Sequence, residues 1–176
     1  MHDKKYLPAH IANYFIWKAD QDKIEDLTSM KLIKLVYFSY AWHYAIFNKK
    51  LFTEKIEAWR YGPVIPSIYH EFKRFGNSKV GLYSIDFEPE SNNVSYPIVS
   101  QNDEDALNIV GTIWEIYKKY SGWELSKITH DGKPWKSAFA EGENTPMKDE
   151  EIAKRGQEAI LKHQENKTNN EKRPRP

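Results

Sequence analysis

The chain has 176 residues, close to one domain's worth of length and long enough to bury a core without staples. Leu, Ile, Val and Phe number 39, above the roughly 20 % floor below which disorder is expected, and six Trp with eleven Tyr supply large rings. A net charge of +1 lacks the basic excess of a duplex binder, and the absence of cysteine excludes disulfide scaffolds, Cys-ligated metal and thiol nucleophiles.

Pro8 fits a first helical position, and Ile11, Tyr14 and Phe15 predict a helix to about Ala19. Gln21 to Asp26 reads as a connector. Thr28 or Ser29 caps a second helix from Met30 to about Phe47, apolar on nearly every side and therefore central. Ile56 to Trp59 reads as a short strand. Tyr61-Gly62-Pro63-Val64-Ile65-Pro66 reads as a proline-bracketed turn, with Pro63 pushing Gly62 towards extended geometry. A short helix with Ile68, Phe72 and Phe75 inward follows, ended by Gly76.

Tyr83, Ile85 and Phe87 alternate with polar residues, and Val94, Tyr96 and Ile98 do so again after the turn residues 89–93. This predicts a hairpin with one buried face. Asn102 or Asp103 caps a helix to about Tyr120 with Ala106, Ile109, Val110, Ile113 and Tyr117 inward. Ser121-Gly122-Trp123-Glu124 matches a capping box opening a short helix, Asp131-Gly132 turns the chain, and Pro134 starts another helix. Thr145-Pro146 is expected to cap a last helix with a thin apolar face. From Gln164 the composition predicts a disordered tail, with a local charge of +3 over 162–176. The expected fold is α+β, mainly α: one domain over 1–163 with six to seven helices and a small antiparallel hairpin sheet, then a tail over 164–176.

No secretory leader or membrane-length apolar run is apparent, which leaves a soluble cytoplasmic protein as the expectation. No phosphate loop, dinucleotide fingerprint, zinc motif or nucleophile elbow occurs, and the six histidines lack metal spacing. No enzyme activity, cofactor or metal is expected. Thr129-His130-Asp131 invites a general-base reading, but no second acid or oxyanion device accompanies it. A helix–turn–helix corner, with His130 bonding backbone and Trp135 packed over it, is the better account. Lys31 with Lys34, Lys73 with Arg74, and Lys118 with Lys119 each have acids nearby; they read as solvated helix faces, which argues against nucleic acid.

Three segments together resemble a known family: Leu32-Ile33-Lys34-Leu35-Val36-Tyr37-Phe38 with Ala41-Trp42-His43; Ile56 to Pro66 with Tyr69 and Phe72; and Leu125 to His130 with Pro134-Trp135. Their order and spacing resemble the Panacea domain of antitoxins, over roughly residues 6 to 160. The resemblance implies an antitoxin of a type II-like toxin–antitoxin module, associated with phage or prophage. It implies that a cognate protein toxin, encoded by the adjacent gene, is neutralised by direct binding. The alternative it carries is an adaptor that delivers a toxin or other client to a protease. Candidate toxin-binding residues are Trp59, Arg60, Tyr61, Val64, Pro66, Tyr69, Lys73, His130 and Trp135, since Trp, Tyr and Arg dominate interface hot spots.

Overall fold

The computed structural model describes residues 6–171 and, among them, seven helices with two small antiparallel sheets. The predicted tail residues 172–176 lie outside the described residues. α1 (Pro8–Gln21) opens on Pro8, as its missing N–H allows. α2 (Ser29–Phe47) is capped by the Thr28 hydroxyl, which accepts from the Lys31 N–H, and closes on Asn48 in the left-handed region. α2 packs against α1 and, further along the chain, against α4 (Glu104–Tyr117), α5 (Gly122–His130) and α7 (Asp149–Glu171). It is the central buried helix that its all-round apolar pattern predicts.

That burial extends to Lys31 and Lys34, 0 % and 1 % exposed, which corrects the expectation of solvated faces. A helix enclosed on all sides has no wet face, so its lysines must find partners inside. The Lys31 ammonium donates to Asp26 Oδ1 at 2.7 Å and to the Lys118 carbonyl, past the end of α4, at 2.8 Å. The carbonyl-rich end of a helix favours such a cation.

β1 (Glu57–Trp59) pairs with β2 (Gly62–Val64) in the register Glu57↔Val64, Ala58↔Pro63, Trp59↔Gly62. The predicted proline-bracketed turn is therefore largely a strand, and the turn itself is Arg60-Tyr61. Gly62 has φ +102° rather than the ordinary extended value, a backbone state that favours glycine. Pro66 then opens α3 (Pro66–Phe72), and a 3₁₀ turn leads to Gly76 at φ +51°. Thr145-Pro146 does not cap a helix. It forms β5 and adds to the other edge of β1, with Glu57↔Pro146 and Ala58↔Thr145. Proline is tolerated there because an edge strand leaves one side of its backbone unpaired.

β3 (Asp86–Glu88) and β4 (Asn93–Ser95) make the predicted hairpin, but its apolar face is exposed rather than buried. Alternation reports which residues share a face, not whether another element covers it. Asp103 caps α4, Ser121 and Glu124 complete the capping box of α5, and Pro134 lies in the first turn of α6 (Lys133–Glu141).

α7 reaches Glu171, so 164–171 is helical instead of disordered. Extending a helix already nucleated by packing costs far less than starting one. Its thin face seats closely because Gly156 lies against the Ala41 carbonyl of α2, where a Cβ would collide. Ile152 and Ile160, one turn to either side, are buried. Asp149 anchors the start: Tyr40 Oη donates to Oδ1 at 2.9 Å and Lys50 Nζ to Oδ2 at 2.6 Å. Burial pushes the Asp149 carboxyl up, but these donors and Lys55 hold it below its ordinary value.

Candidate functional site

The three motif segments meet at the β1–β2 turn. Four of its backbone carbonyls accept hydrogen bonds from side chains of three helices. Trp135 Nε1 on α6 donates to Trp59 O at 2.8 Å. His130 Nε2 on α5 faces Arg60 O at 3.0 Å. Ser126 Oγ on α5 donates to Tyr61 O at 2.8 Å, and Lys34 Nζ on α2 donates to Pro63 O at 2.9 Å. A short hairpin is marginal in water by itself. Here its turn is held at nearly every residue.

His130 is packed edge-on against Trp135, with ring centroids 4.3 Å apart, and its Nδ1 lies 2.8 Å from Ser126 O. This is the corner expected from the sequence. Ser126 Oγ also lies 3.4 Å from the same Nδ1. Both ring nitrogens therefore face backbone carbonyls of the chain.

Lys34 has no carboxylate partner among the described residues, and burial lowers its amine to about 7. A Cβ built on Gly62 would stand 2.7 Å from Lys34 Nζ and 2.7 Å from Thr129 Oγ1. Glycine is thus required there twice, by φ and by the lysine and threonine pressed against it. Thr129 in turn donates to Ser126 O at 2.8 Å.

The candidate residues divide between holding this turn and facing outward. Val64 is buried in the core, Pro66 is half-buried, and His130 and Trp135 are half-buried in the clamp. Trp59 is half-buried, bonds Glu57 Oε2 through Nε1 at 2.8 Å and packs on Tyr69 at 4.8 Å. Arg60, Tyr61 and Lys73 are exposed. The Arg60 guanidinium lies 5.9 Å from the Tyr61 ring, and Lys73 Nζ lies 5.9 Å from the Tyr69 ring.

Two further outward residues lie outside the candidates that the sequence motifs supply. Trp123, 54 % exposed, has its ring 6.5 Å from that of Tyr61, and Lys127 Nζ lies 5.8 Å from the Trp123 ring. The available signal was position. Trp123 and Lys127 stand one turn apart on α5, off the face carrying Leu125. Among the described residues, no ion pair engages Arg60, Lys73 or Lys127. The turn therefore presents aromatic rings and unpaired cations from a fixed backbone.

No three His, Asp or Glu side chains among the described residues gather as metal ligands, and no described helix is long and apolar enough to cross a membrane. No curated protein and no solved structure matches the chain. A family model does match, over residues 32–136, and that span contains the segments that build the clamp. The chain belongs to the family of antitoxin SocA-like proteins with a Panacea domain, which supports an antitoxin-type role.

Proposed function

We propose that this chain is the antitoxin of a type II-like module, neutralising a protein toxin encoded beside it by direct binding in the cytoplasm. The observation that carries the reading is the clamped turn and what it exposes. Arg60, Tyr61 and Trp123 combine hot-spot residue types with a backbone fixed before binding, so little conformational entropy is lost on association. The unpaired Arg60, Lys73 and Lys127 select an acidic surface on the toxin. A stable complex of this kind buries on the order of 800 Å² per partner. The chain acts by occlusion and not by catalysis.

A second reading, delivery of the toxin to a protease, is favoured by one feature. The end of α7, residues 164–169, is exposed along its whole length and offers a handle clear of the clamp.

Expressing the neighbouring gene in bacteria, with and without this chain, tests both. The toxin alone is expected to arrest growth, and co-expression to restore it with the two proteins recovered as a complex. Restored growth with the toxin level reduced instead of complexed supports the adaptor reading. A harmless neighbour, or toxicity that persists in the presence of this chain, overturns the antitoxin proposal.

A further inference from the structure

The β3–β4 hairpin carries an apolar face that no other described element covers. Its register pairs Phe87 with Val94 and Asp86 with Ser95. Continuing that register one pair beyond the strands sets Ile85 opposite Tyr96 on the face of Phe87 and Val94, with Ile98 exposed two residues further on, whereas Tyr83 packs against the core. Ile85, Phe87, Val94, Tyr96 and Ile98 are each 44–62 % exposed. At roughly 150–250 Å² for a large side chain, half exposed, they offer about 500 Å² of apolar surface. That is the size of the largest patch on a typical monomer, which is often functional.

The charged residues of the arm leave this face clean. Asp86 and Glu88 fall on the reverse side by alternation, Glu90 is in the turn, and no Lys or Arg occurs between 82 and 98. The arm is also pinned at its base. The buried Asn13 amide donates to Ser84 O at 2.9 Å and to Pro97 O at 2.7 Å, and Asn13 Oδ1 accepts from Ser84 N at 2.8 Å. The face is thus presented in a fixed position and is not a frayed end.

We infer that a second copy of this chain covers it, the two hairpins stacking apolar face to apolar face about a two-fold axis. A two-stranded hairpin gains stability from a packed layer, and a facing sheet at about 10 Å supplies one. An uncharged apolar face is self-complementary, as a two-fold interface requires. Two such faces together bury about 1,000 Å², the threshold for a specific interface. The acidic side chains point outward from the sandwich, so their repulsion acts across more than the roughly 8–10 Å over which salt screens it. The arm is tied to α1, whereas the clamp uses α2, α5 and α6, so dimerisation and display of Arg60 and Tyr61 share no residue. The inference stands independently of the toxin reading.

Sedimentation of the full chain from low micromolar to several hundred micromolar tests it. A concentration-dependent dimer is expected. Phe87→Asp and Tyr96→Asp are each expected to weaken it by at least about 30-fold, the size of a hot-spot loss, with the melting temperature of the body retained. Ser95→Asp, on the reverse face, should leave the dimer intact and guards against a mere charge effect. A chain that stays monomeric throughout, or a dimer indifferent to both face variants, overturns the inference. So does a monomeric wild type whose Tyr96→Asp variant no longer neutralises the toxin, since the toxin would then be what covers this face.

Discussion

Gly156→Ala is expected to lower the melting temperature by roughly 5–10 °C, where a glycine-to-alanine change inside a helix ordinarily raises stability by about 1 kcal/mol. The reversal follows from what the new methyl meets. At Gly156 a Cβ runs into the Ala41 backbone carbonyl and its carbon, with Ala45 Cβ only 3.1 Å away. A backbone group on the central helix cannot swing aside as a flexible side chain does, so α7 must lift away from α2. Overpacking of this kind costs about 1–3 kcal/mol before the separation of Ile152 and Ile160 from the core is counted. Gly156→Val should be worse. Denaturant unfolding gives the magnitude, and hydrogen exchange along α7 gives the location. An unchanged or raised melting point for Gly156→Ala would mean that α7 does not seat on α2 as described.

The second large effect is a dependence of stability on pH that traces to one side chain. Lys34 is enclosed, and burial lowers its amine from the ordinary 10.5 to about 7. Between those values the unfolded chain holds a proton that the folded chain lacks. Raising the pH through this window therefore disfavours unfolding, and stability rises by up to about 1.4 kcal/mol per pH unit. Tyrosines pushed up by burial, such as Tyr6 at about 12, act in the opposite direction only above about pH 10, so about pH 7 to 9.5 is the clean range. Lys34→Met should flatten the curve, since methionine keeps the volume and has nothing to titrate. Denaturant midpoints at several pH values for both proteins decide it. Equal slopes in wild type and Lys34→Met would place the proton uptake elsewhere.

Helix ends were the most legible part of the chain, because caps are local chemistry. Thr28, Asp103 and the Ser121–Glu124 box each act within a few residues of themselves. The short sheets were less so. β5 exists because the chain returns to β1 at Thr145-Pro146 to pair with Ala58 and Glu57, and no periodicity in two residues announces that. The hairpin's period is legible in the sequence and its exposure is not, since cover is supplied or withheld by other elements. Lys34 shows the same division. A lysine beside apolar neighbours reads as a wet position until the carbonyl of Pro63, 29 residues on, is seen to close over it.

At the candidate site, the sequence pointed to the right turn and mixed two roles within it. His130, Trp135, Ser126 and Lys34 hold the backbone, whereas Arg60, Tyr61, Trp123 and Lys127 face outward from it. Motif residues that meet in space are naturally taken as a binding surface. Here most of their polar atoms are consumed by carbonyls of the chain itself.

That separation is tested by the affinity of the toxin from the neighbouring gene for wild type and for Arg60→Ala, Tyr61→Ala and Trp123→Ala, measured by calorimetry beside each variant's melting curve. Hot-spot losses of at least about 2 kcal/mol each correspond to roughly 30-fold in the dissociation constant. The expected result is a loss of that order at Tyr61 and Arg60 with melting unchanged, because these side chains hold nothing in the fold. Undiminished affinity in all three variants would contradict the account and move the toxin to another surface of the molecule.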